Sequence, residues 1–199
     1  EQPEGGEIIF KGKPVKFARP ADARELGIET VFQDLALCPH LDAVNNMYLG
    51  REVMRKGILG NLGFMTRKEM KEGSVDAFAD LGATVRTLTE AVGSMSGGQK
   101  QSIAVARSAS WANEVVFLDE PTAALGVVQT KNVLELIKRV RDKGIGVVLI
   151  SHSMPEVLQV SDNVQVFRRG RRVATYETAQ TSLEELVGTM TGALDEELA

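Results

Sequence analysis

Apolar residues fall into short runs along this chain, and the spacing within each run predicts its element. Residues 7–17, EIIFKGKPVKF, alternate apolar and polar around Gly12 and Pro14, the pattern of a β-hairpin. RPADARELG predicts a short helix, with Pro20 in its first turn and Gly27 past its end. IETVFQD, residues 28–34, reads as a strand with polar final residues. From residue 35 to about 95 no convincing strand run follows. Thr66 and Glu69 have capping-box spacing for a helix reaching Leu81, with Met70, Val75, Phe78 and Leu81 in rough helical register. GILGNLG, residues 57–63, reads as a loop, and the whole stretch as a mostly helical insert.

The pattern then alternates. A helix is predicted over 97–111, followed by the short apolar strand EVVFLDEP (114–121). Val133, Leu136, Ile137 and Val140 mark one face of a long amphipathic helix that Gly144 stops. GVVLISH (146–152) predicts a buried strand, and Ser153 with Glu156 a capped helix after it. NVQVFRRGRRVATYE (163–177) predicts a hairpin turning at Gly170, and TSLEELVGTM a terminal helix capped from Thr181 to Glu184. Strands alternating with helices predict an α/β fold built on a parallel sheet. No internal repeat or low-complexity segment interrupts it.

Composition narrows the function classes. The 199 residues suit one domain, or a core with an inserted subdomain, and the net charge of −4 does not suit a binder of nucleic-acid backbone. The basic clusters Arg168–Arg169 with Arg171–Arg172, and Lys138–Arg139 with Arg141, are short and read as solvated faces. The single cysteine, Cys38, excludes an intrachain disulfide, fits a reducing compartment and reads as a small buried hydrophobe. No apolar run approaches the roughly 20 residues of a membrane-spanning helix, and no charged-then-apolar leader opens the sequence.

Candidate chemistry collects at strand ends. Asp119 and Glu120 close one apolar run, and ligands of open α/β sheets bind outside the carboxyl ends of the strands. One such acid can hold Mg2+ while the other polarises a water. His152 ends a second strand and Gln33 a third; a histidine there can bond a terminal phosphate, and an amide can reach a metal or its water. Each alone also fits a plain polar turn; three together point to one site. Ser96 and Gln99 have capping-box spacing around Gly97 and Gly98. Capping does not require those glycines, whereas a phosphate approaching the N–H groups of a helix N-terminus does profit from them.

MSGGQKQSIAVAR, VVFLDEPTAAL and VVLISH, in that order and spacing, resemble the ATP-binding cassette of ABC transporters across nearly the whole chain, with Met95 where the signature usually has leucine. GEIIFKGKPVKF, GIETVFQDLAL and NMYLGRE resemble the carbohydrate-importer branch. The resemblance implies a P-loop NTPase-like core with a mostly parallel sheet (residues 1–34 and 112–199) and a helical subdomain over 35–111 carrying the signature. It implies ATP and Mg2+ as ligands. Asp119 and Gln33 would serve the metal, Glu120 would be the base or water-positioning group, and His152 would contact the γ-phosphate, with Gln33 linking metal, water and the membrane partner. Ser96, Gly97, Gly98 and Gln99 would dock onto nucleotide held by a second cassette. Partners would be transmembrane permease subunits and, indirectly, a periplasmic or extracellular solute-binding protein, with no nucleic acid. The location would be the cytoplasmic face of the membrane, and the role to energise import of a solute, a sugar in this branch.

Two departures matter. No Gly-x4-Gly-Lys-Ser/Thr P-loop occurs; the nearest run, GSMSGGQK, has Gln99 where the lysine would stand. The family places that run, its strand and helix, and an adenine-stacking aromatic upstream of the GEIIF hairpin. The expectation is therefore a fragment or processed chain that is inactive alone and exposes apolar surface favouring pairing or aggregation. Where the family commonly has Ser-Ala-Leu-Asp, this chain has Ala123, Ala124, Leu125 and Gly126, which leaves coupling between paired sites open. Two other readings stay open: a soluble ABC-type ATPase outside transport, and a non-catalytic remnant that donates its signature face to a partner.

Overall fold

A computed structural model describes residues 3–83 and 85–193. Strand β1 (Ile8–Phe10) pairs antiparallel with β2 (Lys13–Val15), as the alternation predicts, through a turn with Lys11 and Gly12 both at positive φ. Lys11 ties this hairpin to Glu114 by an ion pair. Helix α1 (Pro20–Glu25) follows and ends at Gly27, whose φ is +77°. A Cβ there would come 3.0 Å from the Asn113 Cβ, so glycine lets α1 turn tightly against the start of a central strand.

Strands β3 (Ile28–Val31), β4 (Val115–Asp119) and β5 (Gly146–Ile150) form the parallel sheet in that spatial order. Val31 pairs with Leu118 and Asp119 with Ile150, so all three strands end along one edge. Each strand is shorter than its apolar run suggests. Phe32 and Gln33 lie beyond β3, Glu120 beyond β4 and His152 beyond β5.

Between β3 and β4 run α2 (Ala43–Tyr48), α3 (Ile58–Asn61), α4 (Arg67–Leu81), a single 3-10 turn (Val92–Ser94) and α5 (Gly97–Trp111). The insert is helical as expected, with three corrections. The 57–63 stretch holds the one-turn helix α3. The Thr66–Glu69 capping box does not form: Thr66 N–H donates to the Val53 carbonyl at 2.7 Å, and this pairing sets the entry to α4. Val75 is exposed, while Met70, Phe78 and Leu81 are buried.

Helix α5 packs on β3 and β4, and α6 (Val127–Asp142) packs on α5 and β5. Val133, Leu136, Ile137 and Val140 of α6 join Ile103, Val105, Val116 and Leu118 in the main core, and Gly144 at φ +83° stops α6 as predicted. The opposite face of β5 is open. Val148 and Ile150 are 41% and 51% exposed, so this strand is half-covered and not buried as its composition suggested.

A smaller core follows. Helix α7 (Met154–Val160), the hairpin of β6 (Asn163–Arg168) and β7 (Arg171–Glu177), and α8 (Leu183–Thr191) enclose Met154, Val157, Val164, Val166 and Leu186. The hairpin turns through Arg169 and Gly170, both at positive φ, as predicted. The α7 cap is not made by Ser153 and Glu156; Glu156 instead accepts from the Thr122 hydroxyl. The α8 cap falls one residue later than expected, with Ser182 accepting from Glu185 N–H at 3.2 Å.

Candidate functional site

The shared carboxyl edge of the sheet gathers the predicted acids, amide and histidine. Asp119 is the last residue of β4, and Glu120 turns off the sheet at φ +47°, a left-handed conformation costly for a side chain with a Cβ. Its N–H donates to the Ile150 carbonyl at 2.9 Å, which fixes the turn against β5. The Glu120 carboxylate then receives two bonds from the β5 exit: His152 N–H at 3.1 Å, and the His152 Nδ1 at 2.7 Å. Glu120 is largely covered, with its side chain 18% exposed, while His152 is 79% exposed. The hydrogen bond to Glu120 and then its charge raise the His152 pKa above the ordinary value, with Glu156 adding a smaller pull in the same direction.

Gln33 and Asp119 belong to a second arrangement, the lining of a common cavity. With Phe32, Asp34 and Ala36 they line an open cavity of about 530 Å³. The loop carrying Gln33 is strained, since Leu35 and Ala36 have φ of +64° and +45°. Asp34 Oδ1 accepts from Ala36 N–H at 3.2 Å, a local turn bond. Arg107 on α5 holds the loop from outside, donating to the Leu35 carbonyl at 3.0 Å and the Ala36 carbonyl at 2.9 Å. Burial lowers the Arg107 pKa, yet a guanidinium stays charged at neutral pH. Arg107 was not singled out by the sequence. Its partners are carbonyls about 70 positions away, which no local spacing reveals.

Ser96, Gly97, Gly98 and Gln99 form the predicted capping box at the N-terminus of α5. Ser96 Oγ accepts from Gln99 N–H at 3.4 Å, and Gln99 Oε1 accepts from Ser96 N–H at 3.2 Å. The N–H groups of Gly97 and Gly98 stay without a partner among the described residues, as the first turn of any helix dictates. The structure adds an internal reason for the glycines. A Cβ on Gly98 would lie 2.8 Å from Gln129 Cγ, and one on Gly97 3.3 Å from Leu125 Cδ2. Ser96, Gly98 and Gln99 line a cavity of about 640 Å³ with Arg86, Gln129 and Asn132. Gln129 and Asn132 are spaced three apart on α6, a pattern legible in sequence; Arg86 carries no such signal. This cavity shares no residue with the one that Gln33 and Asp119 line. The chain therefore assembles two polar surfaces: one at the sheet edge and one at the start of α5.

Mg2+ takes hard oxygen ligands and keeps several waters. Carboxylate and amide oxygens from Asp119, Asp34 and Gln33 around an open cavity fit that chemistry.

The family model described as ABC transporter matches residues 1–123. Fructose import ATP-binding protein FrcA of Rhizobium meliloti is 45% identical over 193 residues, which cover 96% of this chain and 74% of that protein. Xylose/arabinose import ATP-binding protein XylG of Sulfolobus acidocaldarius is 39% identical over 190 residues, covering 96% of this chain and 73% of that one. Among solved structures, cbiO1 from Clostridium perfringens, part of the ABC transporter complex cbiONQ, superposes with a TM-score of 0.72 at 24% identity. That match covers 93% of this chain and 71% of the other, and it shows a shared α/β fold.

Proposed function

The chain belongs to the ABC transporter family, and from that footing we propose that it is the ATP-binding subunit of an importer whose solute is a sugar. The observation carrying the reading is the Glu120–His152 pair at the carboxyl edge of the sheet, the edge where Asp119 and Gln33 line a cavity of their own. ATP hydrolysis transfers a phosphoryl group to water, and the protein's part is positioning and charge stabilisation. Glu120 would orient the attacking water and draw its proton. His152, exposed on one side and bonded to Glu120 on the other, would fix the direction of that carboxylate and offer its second ring nitrogen to a terminal phosphate. Asp119 and Gln33 would hold Mg2+, whose charge would offset that of the phosphate oxygens. At the second surface, the free N–H groups of Gly97 and Gly98, with Ser96 and Gln99, would meet phosphate held by a second cassette.

Residues 1–34 and 112–199 would form the catalytic core and 35–111 the helical subdomain, with α5 packed on β3 and β4 of the one and α2 and α4 of the other. Permease subunits, a second cassette and, at one remove, a solute-binding protein would be the partners, and the location the inner face of the membrane. Among the described residues no helix is long and apolar enough to cross a membrane. These 199 residues contain no Gly-x4-Gly-Lys-Ser/Thr run. A polypeptide of these residues alone lacks that cradle, and its turnover of ATP is expected to stay at background. The intact signature surface would still let it complete a partner's site.

Uptake of labelled monosaccharides tests the proposal. Cells without the protein should lose uptake of one sugar; restoring the gene should recover it, and the Glu120→Gln gene should not. Unchanged uptake of every sugar in the deleted cells would sink the importer reading.

A further inference from the structure

Residues 53–65 form an ordered knob on the helical insert. Met54 and Met65 pair antiparallel, Arg55 N–H donates to the Phe64 carbonyl at 2.8 Å, and Thr66 N–H closes on Val53 at 2.7 Å. Helix α3 caps the ladder, and Phe64 N–H bonds back to Leu59 at 3.0 Å. A Cβ on Gly60 would lie 1.8 Å from the Arg55 carbonyl oxygen, so α3 sits directly on the ladder.

This tightly built knob carries its apolar side chains outward. Ile58 is 79% exposed, Leu62 67% and Phe64 53%, with Met54, Met65 and Leu59 between 45% and 47%. Clustered exposure of large apolar side chains marks a contact surface. The charge around it leans positive, with Glu52 and Glu69 standing just outside the stretch. Residues 53–68 contain Arg55, Lys56, Arg67 and Lys68 and no carboxylate, in a chain of net charge −4. Arg67 is bound to Asp42, and Lys68 lies 3.8 Å from Glu72. Arg55 and Lys56, beside the crown, have no side-chain partner among the described residues.

We propose that this knob docks on an anionic lipid bilayer, with Ile58, Leu62 and Phe64 entering the headgroup boundary and Arg55 and Lys56 meeting lipid phosphates. An apolar face rimmed by cations binds membranes by adding area burial to attraction for anionic lipid. Side chains as exposed as Ile58 and Leu62 suit insertion into a deformable surface.

Flotation of the purified chain with vesicles tests it. The chain should float with phosphatidylglycerol–phosphatidylcholine vesicles, far less with phosphatidylcholine alone, and less at raised salt. Ile58→Ser with Leu62→Ser should abolish flotation. Arg55→Gln and Lys56→Gln should each weaken it roughly fivefold. These side chains are exposed, so thermal melts should match the parent. Arg171→Gln with Arg172→Gln, on the basic β6–β7 turn, is the control and should float like the parent. Equal flotation by the crown variants, no preference for anionic vesicles, or a loss that follows the hairpin control would each overturn the proposal. It would also fail if the crown variants float normally but no longer co-purify with a permease, since the knob would then be a protein contact.

Discussion

Glu120 and His152 show how much one hydrogen bond can set. The bond raises the His152 pKa, so the folded state favours its charged form. The sign follows directly: the stability contributed by the pair is fully present below the ordinary histidine value near 6.5, and is lost as pH rises through the raised value. In an NMR titration the His152 ring protons should turn over above pH 6.5, and Glu120→Gln should bring that midpoint down. The chain has two histidines, so a His40→Gln variant assigns the signals. An unchanged midpoint in Glu120→Gln would mean the pair does not form in solution. Gly97 and Gly98 make a second residue-level contrast. Gly98→Ala would push against the stem of Gln129, and overpacking of this kind costs about 1–3 kcal/mol. Gly97→Ala meets only the tip of Leu125, and alanine's better helix propensity offsets that contact. Urea melts should therefore show a clear loss for Gly98→Ala and little change for Gly97→Ala.

At the scale of elements, α5 connects the two polar surfaces. Its first turn is the glycine box, and Arg107, near its far end, holds the Gln33 loop by two carbonyls. Hydrogen bonds from a charged donor contribute about 1.5–3 kcal/mol, so Arg107→Ala should destabilise the chain by about 2 kcal/mol. Amide exchange over residues 32–38 should speed up more than elsewhere. Arg107→Lys should recover only part of this, since one ammonium cannot reproduce the planar fork. Uniform exchange across the chain in Arg107→Ala would show that the loop does not depend on this clamp. The caps show where local spacing is insufficient. Ser96 and Gln99 cap α5 as their spacing predicts, because nothing else claims them. Thr66 has the same spacing, but pairing with Val53 fixes its backbone; Glu156 is drawn off by Thr122, and Ser182 displaces its neighbour Thr181.

The whole molecule is unevenly covered. Helices α5 and α6 bury Val116 and Leu118 on one face of the sheet, while Val148 and Ile150 on the other stay open and Phe32 is 51% exposed at the rim. Open apolar sheet faces and edges invite association. In sedimentation velocity, a polypeptide of these residues should run as species larger than a monomer, in proportions that rise with concentration. Val148→Thr with Ile150→Thr keeps the β-branched shape and should shift it toward monomer. A dispersed parent monomer at every concentration would show that this face is self-sufficient.

Read by itself, the sequence did not determine the short helices α2 and α3 of the insert, but it did determine the parallel α/β class, the strands and remaining α-helices in their order, both hairpins and the residues at the strand ends. Those follow from hydrophobic periodicity and turn chemistry, which act over a few residues. It also placed Asp119, Glu120, His152 and Gln33 on one edge, because parallel strands share a direction. Tertiary structure alone decided that Glu120 bonds His152 while Gln33 and Asp119 line a separate cavity, that Arg107 clamps the Gln33 loop, and which face of β5 stays open. Each depends on side chains brought together from distant positions, and no local pattern encodes such a meeting.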